Sequence, residues 1–319
     1  MLKSVTIDGV TRSGGALGIA LAHNDVVHDA TRNVFYASVQ GSDAAHANRI
    51  ATIAAGTGAV AYSAPVGSEP GVLAVAPGGQ YLYVGLRGAG EVVKLALPAM
   101  TEVARIPLGT GTFGPHFAES IAVSPADADT IAVSLQSHLV TPRHEGVVLV
   151  TGTTIAPVST QSHTGSNLVT FDGGGSILYG INNETTESGL REIAVAADGL
   201  RETRVVTADD LTRRIQFAGG LVYLRTSAWT TGLVRAATFG DGTAVQCGRL
   251  ASARVACIPF NTRAGVLSIY DAGTFAALPA VEIPVAADDL RFFVPGAAGT
   301  LALSTATGQQ VWLVQDARL

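Results

Sequence analysis

Seven histidines, all within the first 163 of 319 residues, are the side chains best placed by type to hold a metal ion: His23, His28, His46, His116, His138, His144 and His163. Neutral imidazole nitrogens converging from separate segments could bind copper, zinc or iron, the borderline metals that accept such donors. No His-x-His, His-Glu-x-x-His or clustered Cys/His spacing accompanies them. Solvated loop histidines are therefore the competing reading. Carboxylates and arginines form a second set: Asp25, Glu69, Glu119, Asp209, Asp210, Asp288 and Asp289 with Arg87, Arg143, Arg213, Arg214 and Arg291. Paired carboxylates could hold calcium or act as general acid and base. The alternative is that they cap strand ends and pair with arginine, where an exposed ion pair is worth little.

Other chemistries lack their residues. There is no Gly-x-Ser-x-Gly nucleophile elbow, no phosphate-cradling Gly-x-x-x-x-Gly-Lys-Ser/Thr and no dinucleotide fingerprint. A net charge of −5 and the absence of a basic run argue against nucleic acid as a partner and against an anionic membrane surface. With 47% hydrophobic and 14% charged residues the chain can bury a large core. The apolar stretch Ala16 to Ala22 is too short to span a bilayer, and it lacks the basic flank and cleavage site of a leader.

The elements that must position these side chains are visible as a repeat. A short apolar strand recurs seven times, as Val34-Phe-Tyr-Ala-Ser-Val, Tyr81-Leu-Tyr-Val-Gly-Leu, Ile131-Ala-Val-Ser-Leu-Gln, Ile177-Leu-Tyr-Gly-Ile-Asn, Leu221-Val-Tyr-Leu-Arg-Thr, Val255-Ala-Cys-Ile-Pro-Phe and Leu301-Ala-Leu-Ser-Thr-Ala. The starts are 47, 50, 46, 44, 34 and 46 residues apart. That period belongs to a four-stranded propeller blade. It predicts an all-β, seven-bladed β-propeller of antiparallel blades, with residues 1–319 as a single domain. Each recurrent strand is the second of its blade, and the inner strands are expected to begin near Asp25, Val72, Ser120, Asn167, Arg214, Gly248 and Asp289. The spacing of 34 implies that the outer strand of blade 5 is missing, very short or fused to the next inner strand. Blade 7 runs out of chain after three strands. Ser4-Val-Thr-Ile-Asp-Gly-Val is expected to supply its fourth and to close the ring.

In this topology the loops leading into inner strands and the loops joining second to third strands emerge on one face, where propellers usually bind. Six of the seven histidines map to that face, and the carboxylates and arginines of the second set are expected to crowd the same rim. His116 and His163 hold matching places, four residues ahead of Ser120 and Asn167. His28 alone falls within a strand, where a packed, hydrogen-bonded ring is expected. A ligand site at the channel mouth would draw on His23, Asp25, Glu69, Arg87, His116, Phe117, Glu119, His163 and Trp229, with His23, His116 and His163 as the metal candidates. Trp229 reads equally as a loop anchor or as a cover for the core edge.

Cys247 and Cys257 lie symmetrically about Ser252. In a hairpin turning there they face each other across two strands, close enough for a disulfide. Two buried free thiols are the alternative.

Leu73-Ala-Val-Ala-Pro-Gly-Gly-Gln-Tyr-Leu-Tyr-Val, Ala104-Arg-Ile-Pro-Leu-Gly and Ile121-Ala-Val-Ser-Pro resemble the YVTN-type β-propeller repeat of bacterial and archaeal secreted and surface proteins. The likeness extends over nearly the whole chain, is sharp in blades 2 and 3, and departs from the pattern where Gly85-Leu86 replaces Thr-Asn. It implies seven blades and a periplasmic, secreted or cell-surface setting, and it carries no catalytic residue. The expectation for function is a monomeric binding or interaction module, free-standing or part of a larger chain, taking a small molecule, glycan or protein at its top face. The competing expectation is a metal-dependent enzyme, a hydrolase, lactonase or copper oxidoreductase, using the rim histidines.

Overall fold

The computed structural model describes residues 4–7, 10–13, 15–163, 165–185, 189–208, 212–260 and 263–319. Asp209 and Asp210 lie outside them. The chain forms a seven-bladed propeller of antiparallel sheets, each with its first strand innermost. Six blades have four strands, and a two-stranded hairpin, Thr110–Gly111 with Gly114–Pro115, stands between blades 2 and 3. The inner strands are His23–Asp29, Pro70–Val75, Phe117–Val123, Leu168–Phe171, Gln216–Ala218, Ala244–Arg249 and Leu290–Pro295.

The second strands are mostly apolar because both of their faces are buried, with a few buried polar side chains such as Ser38, Ser134 and Ser304. Successive side chains point to opposite faces of a strand, so each second strand feeds two different interfaces. Phe35 packs between blades 7 and 1 while its neighbour Tyr36 packs between blades 1 and 2. Leu82 and Tyr83 divide in the same way, as do Leu178 and Tyr179. The result is seven apolar clusters, one for each blade-to-blade interface.

Polar side chains of the inner strands tie the ring together nearer the channel. The amide of Gln246 donates to the carbonyl of Phe293 and accepts from its N–H, at 3.1 and 2.9 Å. Gln216 does the same for Arg249 one interface earlier. Ser120 accepts from Val169 N–H, and Asp25 from Leu73 N–H. Each bridge satisfies buried backbone groups that the ladder within a blade does not reach.

The N-terminal segment closes the ring, but the strand that pairs with Gln310–Gln315 is Ala16–Ala20 rather than Ser4–Val10. Leu17 and Ile19 are buried between blades 7 and 1, and Ala16 packs on the other side, between blades 6 and 7. Gly18 lies under the Trp312 ring, where any Cβ would come within 2.7 Å of ring carbon. Val10–Ser13 and Ser4–Ile7 continue the sheet outward to six strands. Blade 5 keeps all four strands but at three or four residues each, ending in the very short outer strand Arg235–Thr238. Blade 3 has a shorter one still, Thr154–Ile155.

Cys247 and Cys257 are directly opposed across the first two strands of blade 6 and form a disulfide. Among the described residues no helix is long and apolar enough to cross a membrane.

Candidate functional site

The starts of the inner strands surround a cavity of about 520 Å³ at the channel mouth. Blade 1 contributes Asn24 and Asp25, blade 2 Gly71 and Val72, blade 3 Glu119 and Ser120, blade 5 Arg213 and Arg214, and blade 7 Arg291 and Phe292. Loops between second and third strands add Arg87, Arg143 and Asn183. Gly71 keeps this space open, since a side chain there would meet the Arg87 stem at 2.8 Å.

Three ion pairs organise the lining. Arg214 reaches from blade 5 to Asp25 on blade 1, stacks on Phe292 with its guanidinium carbon 4.0 Å from the ring centroid, and donates to the carbonyl of Val26 at 3.3 Å. Because blades 5 and 1 are not neighbours, this pair spans the channel. Arg143 donates to Glu119 Oε1 at 2.5 Å and lies 3.4 Å from Glu184 Oε1, which also accepts the Arg143 backbone N–H at 2.8 Å. Asn167 Nδ2 donates to both carboxylates, at 3.0 Å to Glu119 and 3.3 Å to Glu184. Burial pushes the Glu119 carboxyl up, with Glu184 adding to the shift; Arg143 and Asn167 oppose it.

Three guanidiniums remain. Arg87 and Arg213 are exposed and have no ion pair or side-chain hydrogen bond among the described residues. Arg291 donates to the Asn24 carbonyl at 3.0 Å and lies over Phe292. Burial lowers its pKa, Asp25 opposes, and the neighbouring charges of Arg214, Arg213 and Arg87 lower it further.

Of the side chains singled out in the sequence, Asp25, Glu119, Arg87, Arg143, Arg213, Arg214 and Arg291 line this cavity; His23, Glu69, His116, Phe117, His163 and Trp229 do not. Both ring nitrogens of His23 are engaged inside the fold, Nδ1 with the Leu21 carbonyl at 2.9 Å and Nε2 with Ser304 Oγ at 2.8 Å. Its pKa is lowered, chiefly by burial. His116 Nδ1 faces the Leu108 carbonyl and its ring covers Gly111. His163 adopts a positive φ of 60° and bonds the Pro142 carbonyl at 2.9 Å. Phe117 stacks on His138, and His46 on Tyr62. Glu69 is exposed on the outer top, its N–H bonded to Asn48. Trp229 belongs to the strand Ser227–Thr230 rather than to a loop, buried in the interface between blades 4 and 5 with Nε1 donating to Ser227. His28 is in its inner strand, packed on Phe35 and bonded to Asn33.

His23, His116 and His163 are thus held apart, and among the described residues no three His, Cys, Asp or Glu side chains are grouped to hold a metal. Carboxylates pair with arginine instead. Glu184, Asn183 and Asn167 belong to the site without having been singled out as ligands. The signal was available: Asn183 and Glu184 occupy the loop between second and third strands of blade 4, the place Arg143 holds in blade 3.

No family model matches the chain, and no curated protein matches it in sequence. Solved structures do match. The β-propeller domain of Cps50 (Swd1) from Myceliophteria thermophila aligns over 99% of both chains with a TM-score of 0.68 at 13% identity. Hydrazine synthase from Kuenenia stuttgartiensis aligns over 93% of this chain and 96% of that one, with a TM-score of 0.64 and 13% identity. At such identity the likeness establishes one thing. This chain has the seven-bladed propeller fold. The activities of those two proteins stay with them.

Proposed function

We propose that this chain is an extracytoplasmic propeller that binds a ligand at the mouth of its central channel. The observation that carries the reading is the cavity of about 520 Å³ in which polar side chains from six blades converge. Its volume falls in the range of small-molecule sites, and the starts of the inner strands form much of its wall, with Arg87, Arg143 and Asn183 added from loops. The extracytoplasmic setting is supported by the Cys247–Cys257 disulfide, since such bonds persist in oxidising compartments. The resemblance of blades 2 and 3 to the YVTN-type repeat points the same way. Within the cavity, Asp25 and Glu119 hold Arg214 and Arg143 in place, and Arg87 and Arg213 are the exposed side chains that can meet a ligand.

The test uses thermal unfolding with a panel of neutral, cationic and anionic small molecules, on the wild type and on Gly71→Phe. Gly71 has no positive φ, and an added Cβ meets mainly the movable Arg87 side chain, so the variant is expected to fold with its mouth filled. A ligand at about a hundred times its Kd stabilises by about 2.7 kcal/mol. Such a ligand should raise the wild-type Tm by a few degrees and leave Gly71→Phe unchanged. Ligands that raise both equally, or none in any class, would remove the mouth as the binding site.

A further inference from the structure

The charge at the mouth has the opposite sign to that of the whole chain. Five arginines and two carboxylates line it, in a protein of net charge −5. Asp25 and Glu119 are used by Arg214 and Arg143, with Glu184 also on Arg143. That leaves Arg87, Arg213 and Arg291 around one opening, two without any partner among the described residues and the third bonded only to a carbonyl. Arg291 is half-buried, and a guanidinium so placed without a carboxylate is unfavourable unless an anion completes it, while Arg87 and Arg213 are exposed beside it. The planar fork of arginine suits carboxylate and phosphate oxygens.

A second cavity, of about 220 Å³, adjoins the first and shares Arg213 and Arg291 with it. Its other walls are Val245, Phe260, Leu290 and Ala306, with Asp288 as the one acidic side chain. Phe260 is among the exposed large hydrophobic residues, at 55%. Two arginines therefore sit between a cationic opening and an apolar annex.

Taking the mouth as the binding site, we infer that its ligand is an organic anion, with carboxylate or phosphate groups on Arg87, Arg213 and Arg291 and an apolar substituent in the annex beside Phe260. Such a ligand neutralises the exposed charge and covers apolar surface in one step. The shared chemistry is a dianionic head next to a ring or alkyl group.

Calorimetric titration at low ionic strength with four probes tests this: phthalate, phenyl phosphate, inorganic phosphate and benzyl alcohol. Phthalate and phenyl phosphate separate a carboxylate from a phosphate head. Phosphate lacks the ring, and benzyl alcohol lacks the charge. At least one aromatic dianion should bind about tenfold or more tighter than phosphate and than benzyl alcohol. Arg213→Gln and Arg87→Gln, both at exposed positions, should each weaken it about tenfold, and Phe260→Ser should weaken it toward the phosphate value. Benzyl alcohol binding as well as the dianions, lost in Gly71→Phe but indifferent to both arginine variants, would overturn the anion assignment and keep the mouth as a site. Failure of all four probes to bind would overturn the assignment, and the panel of the preceding test then decides the mouth itself. Dianions that bind equally to wild type and to both arginine variants would also overturn it.

Discussion

His144 is buried with both imidazole nitrogens committed. Ser166 N–H donates to Nε2 at 3.2 Å, which leaves the proton on Nδ1, facing Ser134 Oγ at 3.4 Å. Burial is the main cause that brings its pKa down to about 3; the charges of Arg191, His163 and Arg143 add to it. The ordinary imidazole value is near 6.5. A base whose pKa is lowered on folding contributes stability that is fully present above the unfolded value and is lost as the pH falls toward the folded one. His23 acts in the same direction. Glu119 acts oppositely, because its raised pKa favours the folded state at low pH and that contribution fades as the pH rises. The histidine effect is therefore best read above the carboxylate range. Between pH 6.5 and 5 protonation demand at His144 should remove up to about 1.4 kcal/mol per pH unit. Urea unfolding across that interval should show a shallower slope for His144→Gln than for the wild type. Equal slopes would mean that His144 titrates normally. The same geometry explains why the histidines misled as ligands. Loop position assigns a side chain to a face, but not to a direction, and the rings of His23, His116 and His163 turned toward carbonyls of their own fold.

At the scale of strands, legibility followed burial. The second strands were readable because they are apolar on both faces and recur, and the hairpin register was readable because Cys247 and Cys257 oppose each other about Ser252. The closing strand was not. Ala16-Leu-Gly-Ile-Ala is apolar throughout and reads as a buried run of no assigned direction, whereas Ser4-Val-Thr-Ile alternates as an edge strand should. What decides between them is tertiary: Gly18 beneath Trp312, and Leu17 and Ile19 between blades 7 and 1. Removal of residues 1–13 should therefore keep the ring closed. Removal of residues 1–20 should withdraw Leu17 and Ile19, each worth about 1.5–3 kcal/mol when fully buried, and expose the edge of Gln310–Gln315. Urea midpoints and light scattering on the two truncations check this. The expected pattern is a small shift for the first, and a large loss with aggregation for the second. A first truncation as damaging as the second would return closure to the outer strands.

In the whole molecule, seven interfaces of similar construction make a rigid ring, and the ring sets the distance across which blade 5 meets blade 1. The period announced that ring, but the sign of the charge at its centre was hidden. Loop position already assigned all five arginines to this rim, but together with seven carboxylates, and the net charge of −5 points the other way. Which carboxylates cancel which arginines is a matter of three dimensions. Asp25 and Arg214 are 189 residues apart. A crystal structure of the protein soaked with a mixed set of neutral and charged fragments addresses the central claim most directly. The account expects fragment density in the mouth, within hydrogen-bond distance of Arg87, Arg213 or Arg291. Fragments bound only elsewhere, with the mouth holding nothing but solvent, would contradict it.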